Sequence, residues 1–203
     1  ELLFAATLTN DLNEQLRIYK ETERVHPTDH RAANNVGYVY MLQNKLDEAA
    51  AQFTKANGIQ DNAISTNNLG VVARLKGDRK KAAELFTKAA SAGPEVKYNQ
   101  GIIDIQNGNY SSASSNFGST KSVNAALAKL LGGDAAGAQS ILDGATDKDT
   151  ATGHYLAAII AARQSNCAGA ATSLGLAIQK DGSLREKALK DLEFRNCKGS
   201  LGL

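Results

Sequence analysis

Gly37, Ala49, Phe53 and Ala56 recur as Gly70, Ala82, Phe86 and Ala89, every member shifted by 33 residues. A thinner copy follows at Gly101, Ala113 and Phe117, shifted by 31. In all three copies glycine precedes alanine by 12 residues, and alanine precedes phenylalanine by 4. A period of this size belongs to stacked supersecondary units, none of which buries its apolar face alone. The fold is therefore read from repetition.

The first full copy, HRAANNVGYVYMLQNKLDEAAAQFTKANGIQDN, predicts a helix over about 30–43 and a turn at Asn44. A second helix follows over about 46–56, with Leu46, Ala49, Ala50, Phe53 and Ala56 on one stripe of helical period. Thr28 or Asp29 can cap the first helix after Pro27. Gly37 falls inside that helix, where glycine costs about 1 kcal/mol against alanine. A glycine repeated at that cost implies a close approach by the partner helix, expected at Ala49. The second copy turns at Gly77-Asp78, and the third at Asn107-Gly108-Asn109.

Further along, Ala126, Ala138, Leu142 and Ala145 keep the internal spacing with alanine for glycine and leucine for phenylalanine. Ala158, Ala170, Leu174 and Ala177 do the same in a fifth copy. The offset between copies shrinks to 25 at the fourth, so the first part of the stack is expected to be regular and the second tighter and alanine-packed. A short helix in 1–8 and an amphipathic one over 11–25 make a divergent first unit. Ser183-Leu184-Arg185-Glu186 reads as a capping box that starts a terminal helix over about 183–197. The predicted organisation is one repeat domain: 1–29, then units 30–62, 63–93 and 94–120, degenerate units 121–147 and 150–180, and the capping helix.

These positions resemble the tetratricopeptide repeat, a helix-turn-helix of 34 residues with glycine, alanine, an aromatic residue, alanine and proline at set offsets. NNVGYVYMLQNKLDEAAAQFTKA and NNLGVVARLKGDRKKAAELFTKA carry the likeness, with Pro94 and Pro27 at the inter-repeat proline positions. The family tryptophan is replaced by Ala33 and Thr66, and Ala73 and Asp104 depart from the aromatic that Tyr40 provides. The resemblance implies an all-α, right-handed superhelical α-solenoid that acts as a non-catalytic protein-interaction scaffold. The chain also resembles repeat domains of Bacteroidetes-type cell-envelope proteins, which implies a periplasmic or outer-membrane-associated location.

In this architecture the first helices line a concave groove. Asn35, Asn68, Asn99 and Asn124 each lie two residues before the glycine position, with Arg31, Asn34, Tyr38, Asn67, Val71, Arg74, Tyr98 and Ile102 around them. A ladder of amides offers donors and acceptors to an extended peptide. The same amides equally fit bonds between neighbouring helices that set the repeat geometry, and that second reading is favoured. Arg31 and Arg74 do not reproduce the carboxylate clamp of some tetratricopeptide domains.

Cys167 falls in the turn of the fifth unit, and Cys197 lies near the end of the chain. Stacked units stand about 10 Å apart while a disulfide needs Cα atoms within about 7 Å, so free thiols are favoured and a bond requires the tail to close the gap. A bond would point to an oxidising compartment.

Net charge is +2, which gives no strong field for nucleic acid. No apolar run reaches the roughly 18 residues that cross a bilayer. The chain starts at Glu1 without a methionine or basic leader and reads as a mature fragment or excised domain. His26 and His30 are separated by Pro27 and form no metal pair, and Gly118-Ser119-Thr120-Lys121-Ser122 lacks the spacing of a phosphate loop. No cofactor, metal or catalytic constellation is expected. A structural spacer within a larger envelope protein is the alternative to a peptide-binding scaffold.

Overall fold

The computed structural model describes residues 2–202, and these are helical, with no strand among them. A short helix α1 (Leu2–Ala5) and a 3-10 turn (Ala6–Leu8) precede α2 (Leu12–Val25). Helix pairs follow: α3 (His30–Leu42) with α4 (Leu46–Ile59), and α5 (Ala63–Leu75) with α6 (Arg79–Lys88). Next come α7 (Pro94–Gln106) and α8 (Tyr110–Phe117), α9 (Val123–Leu131) with α10 (Ala135–Asp143), and α11 (Ala151–Arg163) with α12 (Cys167–Lys180). The chain ends in α13 (Leu184–Lys190) and a nine-residue 3-10 helix (Leu192–Ser200). Two compact units divide the chain between Ile103 and Asp104, within α7.

The side chain of Asp29 caps α3 by accepting from the Arg31 amide at 3.0 Å, and Asn62 caps α5 through the Ser65 amide at 2.8 Å. At the other end, each first helix closes in the same way. Asn44, Gly77, Gly108, Gly133 and Ser165 all take positive φ, between 58° and 92°. Each lies seven residues after the glycine position of its repeat. The next residue in each case donates its amide five residues back: Lys45 to Tyr40, Asp78 to Ala73, Asn109 to Asp104, Asp134 to Lys129 and Asn166 to Ala161, all at 2.8–3.0 Å. This is the Schellman closure, repeated five times, and glycine meets its φ requirement without a Cβ clash.

In the N-terminal unit the repeated glycines have a concrete reason. A Cβ on Gly37 would stand 2.8 Å from the Phe53 ring, and one on Gly70 would stand 2.5 Å from the Phe86 ring. The partner helix does approach Gly37 at Ala49, whose carbonyl oxygen lies 3.2 Å from that Cβ, as expected, and the Phe53 ring comes nearer still. Phe53 and Phe86 are fully buried. Each ring lies in the space that the missing Cβ leaves, which explains why glycine and phenylalanine recur together.

In the C-terminal unit, Ala126 and Leu142 share one apolar cluster with Leu130, Ala138 and Ile160. Ala158 and Leu174 share another with Tyr155, Ala170, Phe194 and Cys197. Leucine takes the phenylalanine position where alanine takes that of glycine.

The end of the chain departs from expectation. The predicted capping helix over 183–197 stops at Lys190, and Asp191 turns extended before the 3-10 helix begins. Ser183 makes no capping bond to the helix; its hydroxyl goes to Asp181 Oδ1 at 2.7 Å, so the predicted capping box does not form. The two cysteines are bonded, with Cα atoms 5.1 Å apart, against the favoured expectation of free thiols. The 3-10 helix folds back onto α11 and α12 and brings Cys197 to Cys167, the first residue of α12. Spacing between stacked units does not govern a tail that folds over the last one.

Candidate functional site

In the N-terminal unit, α3 carries Arg31, Asn34, Asn35 and Tyr38, and α5 carries Asn67, Asn68, Val71 and Arg74. Tyr98, Asn99 and Ile102 lie on α7. These side chains divide by depth along the helices into a polar end and an apolar end.

At the polar end the amides bond one another. Asn68 Nδ2 donates to Asn34 Oδ1 at 3.0 Å, and Asn99 Nδ2 donates to Asn67 Oδ1 at 3.0 Å. Both bonds run from the residue two before the glycine position to the residue three before it on the preceding first helix. Asn34 Oδ1 also accepts from the Ser65 hydroxyl at 3.0 Å, and Ser65 is fully buried. A buried hydroxyl left without that acceptor would cost about 1–3 kcal/mol. These amides therefore link successive repeats. Asn35 lies beside Asn34, whose Nδ2 reaches it at 3.5 Å.

At the apolar end Tyr38, Leu42 and Leu75 face solvent. Tyr38 is 48% exposed, Leu42 50% and Leu75 48%. Tyr38 and Leu42 are one turn apart on α3, and Val71 and Leu75 occupy the same positions on α5. Val71 and Ile102 are half-buried. Leu42 and Leu75 complete the recurrence, yet sequence reasoning missed them; their signal was the same shift of 33 that carries the glycines.

The two arginines differ. Arg31 is held by Asp29, with Nε at 2.9 Å from Oδ1 and Nη2 at 2.7 Å from Oδ2. That guanidinium draws the Asp29 carboxyl below its usual pKa range, and the carboxylate raises Arg31 in turn. Arg74 is half-buried on α5, its Nε is buried without a hydrogen-bond partner, and it joins no ion pair among the described residues. Arg31 is thus committed to its own helix cap, and Arg74 is the cation left on this face.

Asn124 belongs to the C-terminal unit, half-buried on α9. There the link three residues before the alanine position is made by Tyr155, whose hydroxyl donates to Asp191 Oδ2 at 2.8 Å. Burial first, and this hydrogen bond second, hold the Tyr155 phenol protonated well above its ordinary range. Arg163 grips Glu193 through Nε at 2.7 Å and Nη2 at 2.5 Å, and its Nη1 donates to the Leu130 carbonyl at 2.7 Å. Phe194 meets Tyr155 edge to face, with centroids 5.6 Å apart. The tail thus occupies the berth of a further first helix. No group of three metal-ligating side chains occurs among the described residues, and no helix among them is long and apolar enough to cross a membrane.

Residues 16–63 match the model of the tetratricopeptide repeat family. Comparison with curated protein sequences finds no match. Among solved structures, a chain of the APC/C hetero-tetramer Cut9–Hcn1 superposes with a TM-score of 0.79 at 15% identity, over 95% of this chain and 40% of that one. This chain therefore spans about two fifths of that longer protein. PilW, described as a type IV pilus biogenesis factor, superposes with a TM-score of 0.70 at 17% identity, over 96% of this chain and 94% of its own. PilF of Pseudomonas aeruginosa gives 0.68 at 17% identity, over 93% and 89%. At these identities the likeness is one of fold. Residues 16–63 thus match a tetratricopeptide repeat, and the described residues of each unit share with these structures an all-helical fold of consecutively packed helix pairs.

Proposed function

We propose that the N-terminal unit holds a peptide or protein segment across the apolar end of its first helices, at Tyr38, Leu42, Val71, Leu75 and Ile102, with Arg74 receiving an acidic group. The observation that carries this reading is that Leu42 and Leu75, at equivalent positions of α3 and α5, are both exposed, with exposed Tyr38 one turn before Leu42. Side chains turned to solvent in register on successive repeats offer one extended segment the same foothold twice. The asparagines are not the backbone grip in this reading, because Asn68 and Asn99 each commit an amide N–H to an asparagine of the preceding first helix. The partner is a segment whose apolar residues are spaced to reach two neighbouring helices and whose charge complements Arg74. The disulfide supports an oxidising compartment, and we place the scaffold in the bacterial cell envelope.

A peptide-display library selected on the wild-type chain tests this. Selected peptides are expected to bind Tyr38→Glu/Leu75→Glu at least about tenfold more weakly, a loss of about 1.4 kcal/mol, with the fold intact by circular dichroism. Peptides that bind the double variant as well as wild type would remove this face from contention.

A further inference from the structure

We infer that the Cys167–Cys197 disulfide is a redox-sensitive latch: it holds the 3-10 helix against α11 and α12, and its reduction releases that segment while the helix pairs stay folded. Three observations on the C-terminal unit meet here. The segment Leu192–Ser200 is a 3-10 helix of nine residues, although poor hydrogen-bond geometry keeps most such helices to about 3–4. It therefore depends on outside anchors for its order. Its non-covalent anchors are few: the buried Phe194 and Leu201, the Tyr155–Asp191 bond and the partly exposed Arg163–Glu193 pair. Its covalent anchor closes a loop of 30 residues.

The two cysteines differ in exposure. Cys197 is 2% exposed, whereas Cys167 is half-buried at the start of α12. A dithiol reductant consequently attacks the Cys167 sulfur. Its thiolate forms a mixed disulfide there, the original S–S bond breaks, and Cys197 leaves as a thiolate that takes up a proton. The second thiol of the reductant then displaces Cys167, so two electrons and two protons pass to the protein and the reductant ends as a disulfide. Removing the cross-link restores the freedom of the tail, and the berth of Tyr155, Ala158, Ala162 and Leu174 opens.

Hydrogen–deuterium exchange of the full chain, oxidised and in dithiothreitol, tests the latch, with Cys167→Ser as a second route to the unlinked state. Loop-closure entropy for such a ring predicts that amides of 192–201 exchange on the order of 100-fold faster once the bond is gone. Amides of α9 to α12 are expected to keep most of their protection. Unchanged exchange in 192–201 would overturn the proposal, because the non-covalent anchors would then suffice. Collapse of protection throughout α11 and α12 would also overturn it, because the bond would then support the whole unit rather than its cap.

Discussion

In the N-terminal unit a first helix meets its partner as a glycine under a phenylalanine ring; in the C-terminal unit the same two positions hold alanine and leucine. The volume removed from one helix is given to the other, so the contact stays filled while its residues change. The links between repeats differ in the same manner. Amides join α3 to α5 and α5 to α7, whereas a tyrosine and an aspartate join α11 to the tail. A repeat position is thus defined by the space and the bond that it supplies, and the residue filling it follows from what stands opposite.

The largest effects should come from breaking the volume match. Gly70→Ala places a Cβ 2.5 Å from the Phe86 ring, and overpacking of this kind costs about 1–3 kcal/mol, partly offset by about 1 kcal/mol of helix propensity. Adding Phe86→Leu should recover much of the loss, because Ala126 and Leu142 already coexist in that form. Urea unfolding of the two single variants and the double variant measures the coupling, expected at about 1 kcal/mol or more. Additive losses would mean that glycine and phenylalanine recur for separate reasons.

A smaller contrast lies in the turns. Gly77 and Ser165 hold the same left-handed position, at φ 85° and 61°. Ser165→Gly should stabilise the C-terminal unit by up to about 1 kcal/mol, and Gly77→Ala should destabilise the N-terminal one by about 1–2 kcal/mol, both read from the midpoint of thermal unfolding. Equal and negligible shifts would show that the turn geometry relaxes.

The smallest effect concerns the α3 cap. Asp29 has its pKa lowered in the fold, so its contribution is complete above its unfolded value of about 3.9 and is lost as pH falls through the lower folded one. The stability gap between wild type and Asp29→Asn is therefore expected to be constant from pH 7 to about 5 and to shrink below about 4. A gap that stays constant to pH 2 would show that the Arg31 pairing adds nothing in solution.

The repeats themselves were legible because each stacking contact leaves a trace at a fixed distance along the chain. Helix limits followed from Asp11, Asp29 and the turn residues within a few positions. What the pattern left out has physical causes. Spacing places the partner helix at Ala49, where its backbone does approach Gly37, but does not show that the Phe53 ring fills the gap. The terminal 3-10 helix was read as α-helix because local propensity does not register Phe194, Cys197 and Leu201 being drawn into one cluster with α11 and α12. The spacing of a straight stack disfavours the disulfide, and the tail folds back to form it. The asparagines were visible as a ladder, but their use depended on partners 32 and 34 residues away. Ser165 carries no sign of a left-handed backbone except its register with Gly77, Gly108 and Gly133.

The central claim is a division of labour on the N-terminal first helices: amides hold the repeats together, and exposed apolar residues bind. It is tested most directly by measuring urea stability and affinity for a selected peptide side by side on Asn68→Ala and Tyr38→Ala. Asn68→Ala is predicted to lose about 1 kcal/mol of stability and to keep its affinity within about twofold. Tyr38→Ala is predicted to stay within about 0.5 kcal/mol in stability and to bind at least about tenfold more weakly. The reverse outcome, a stable Asn68→Ala that no longer binds beside a Tyr38→Ala that binds normally, would contradict the account.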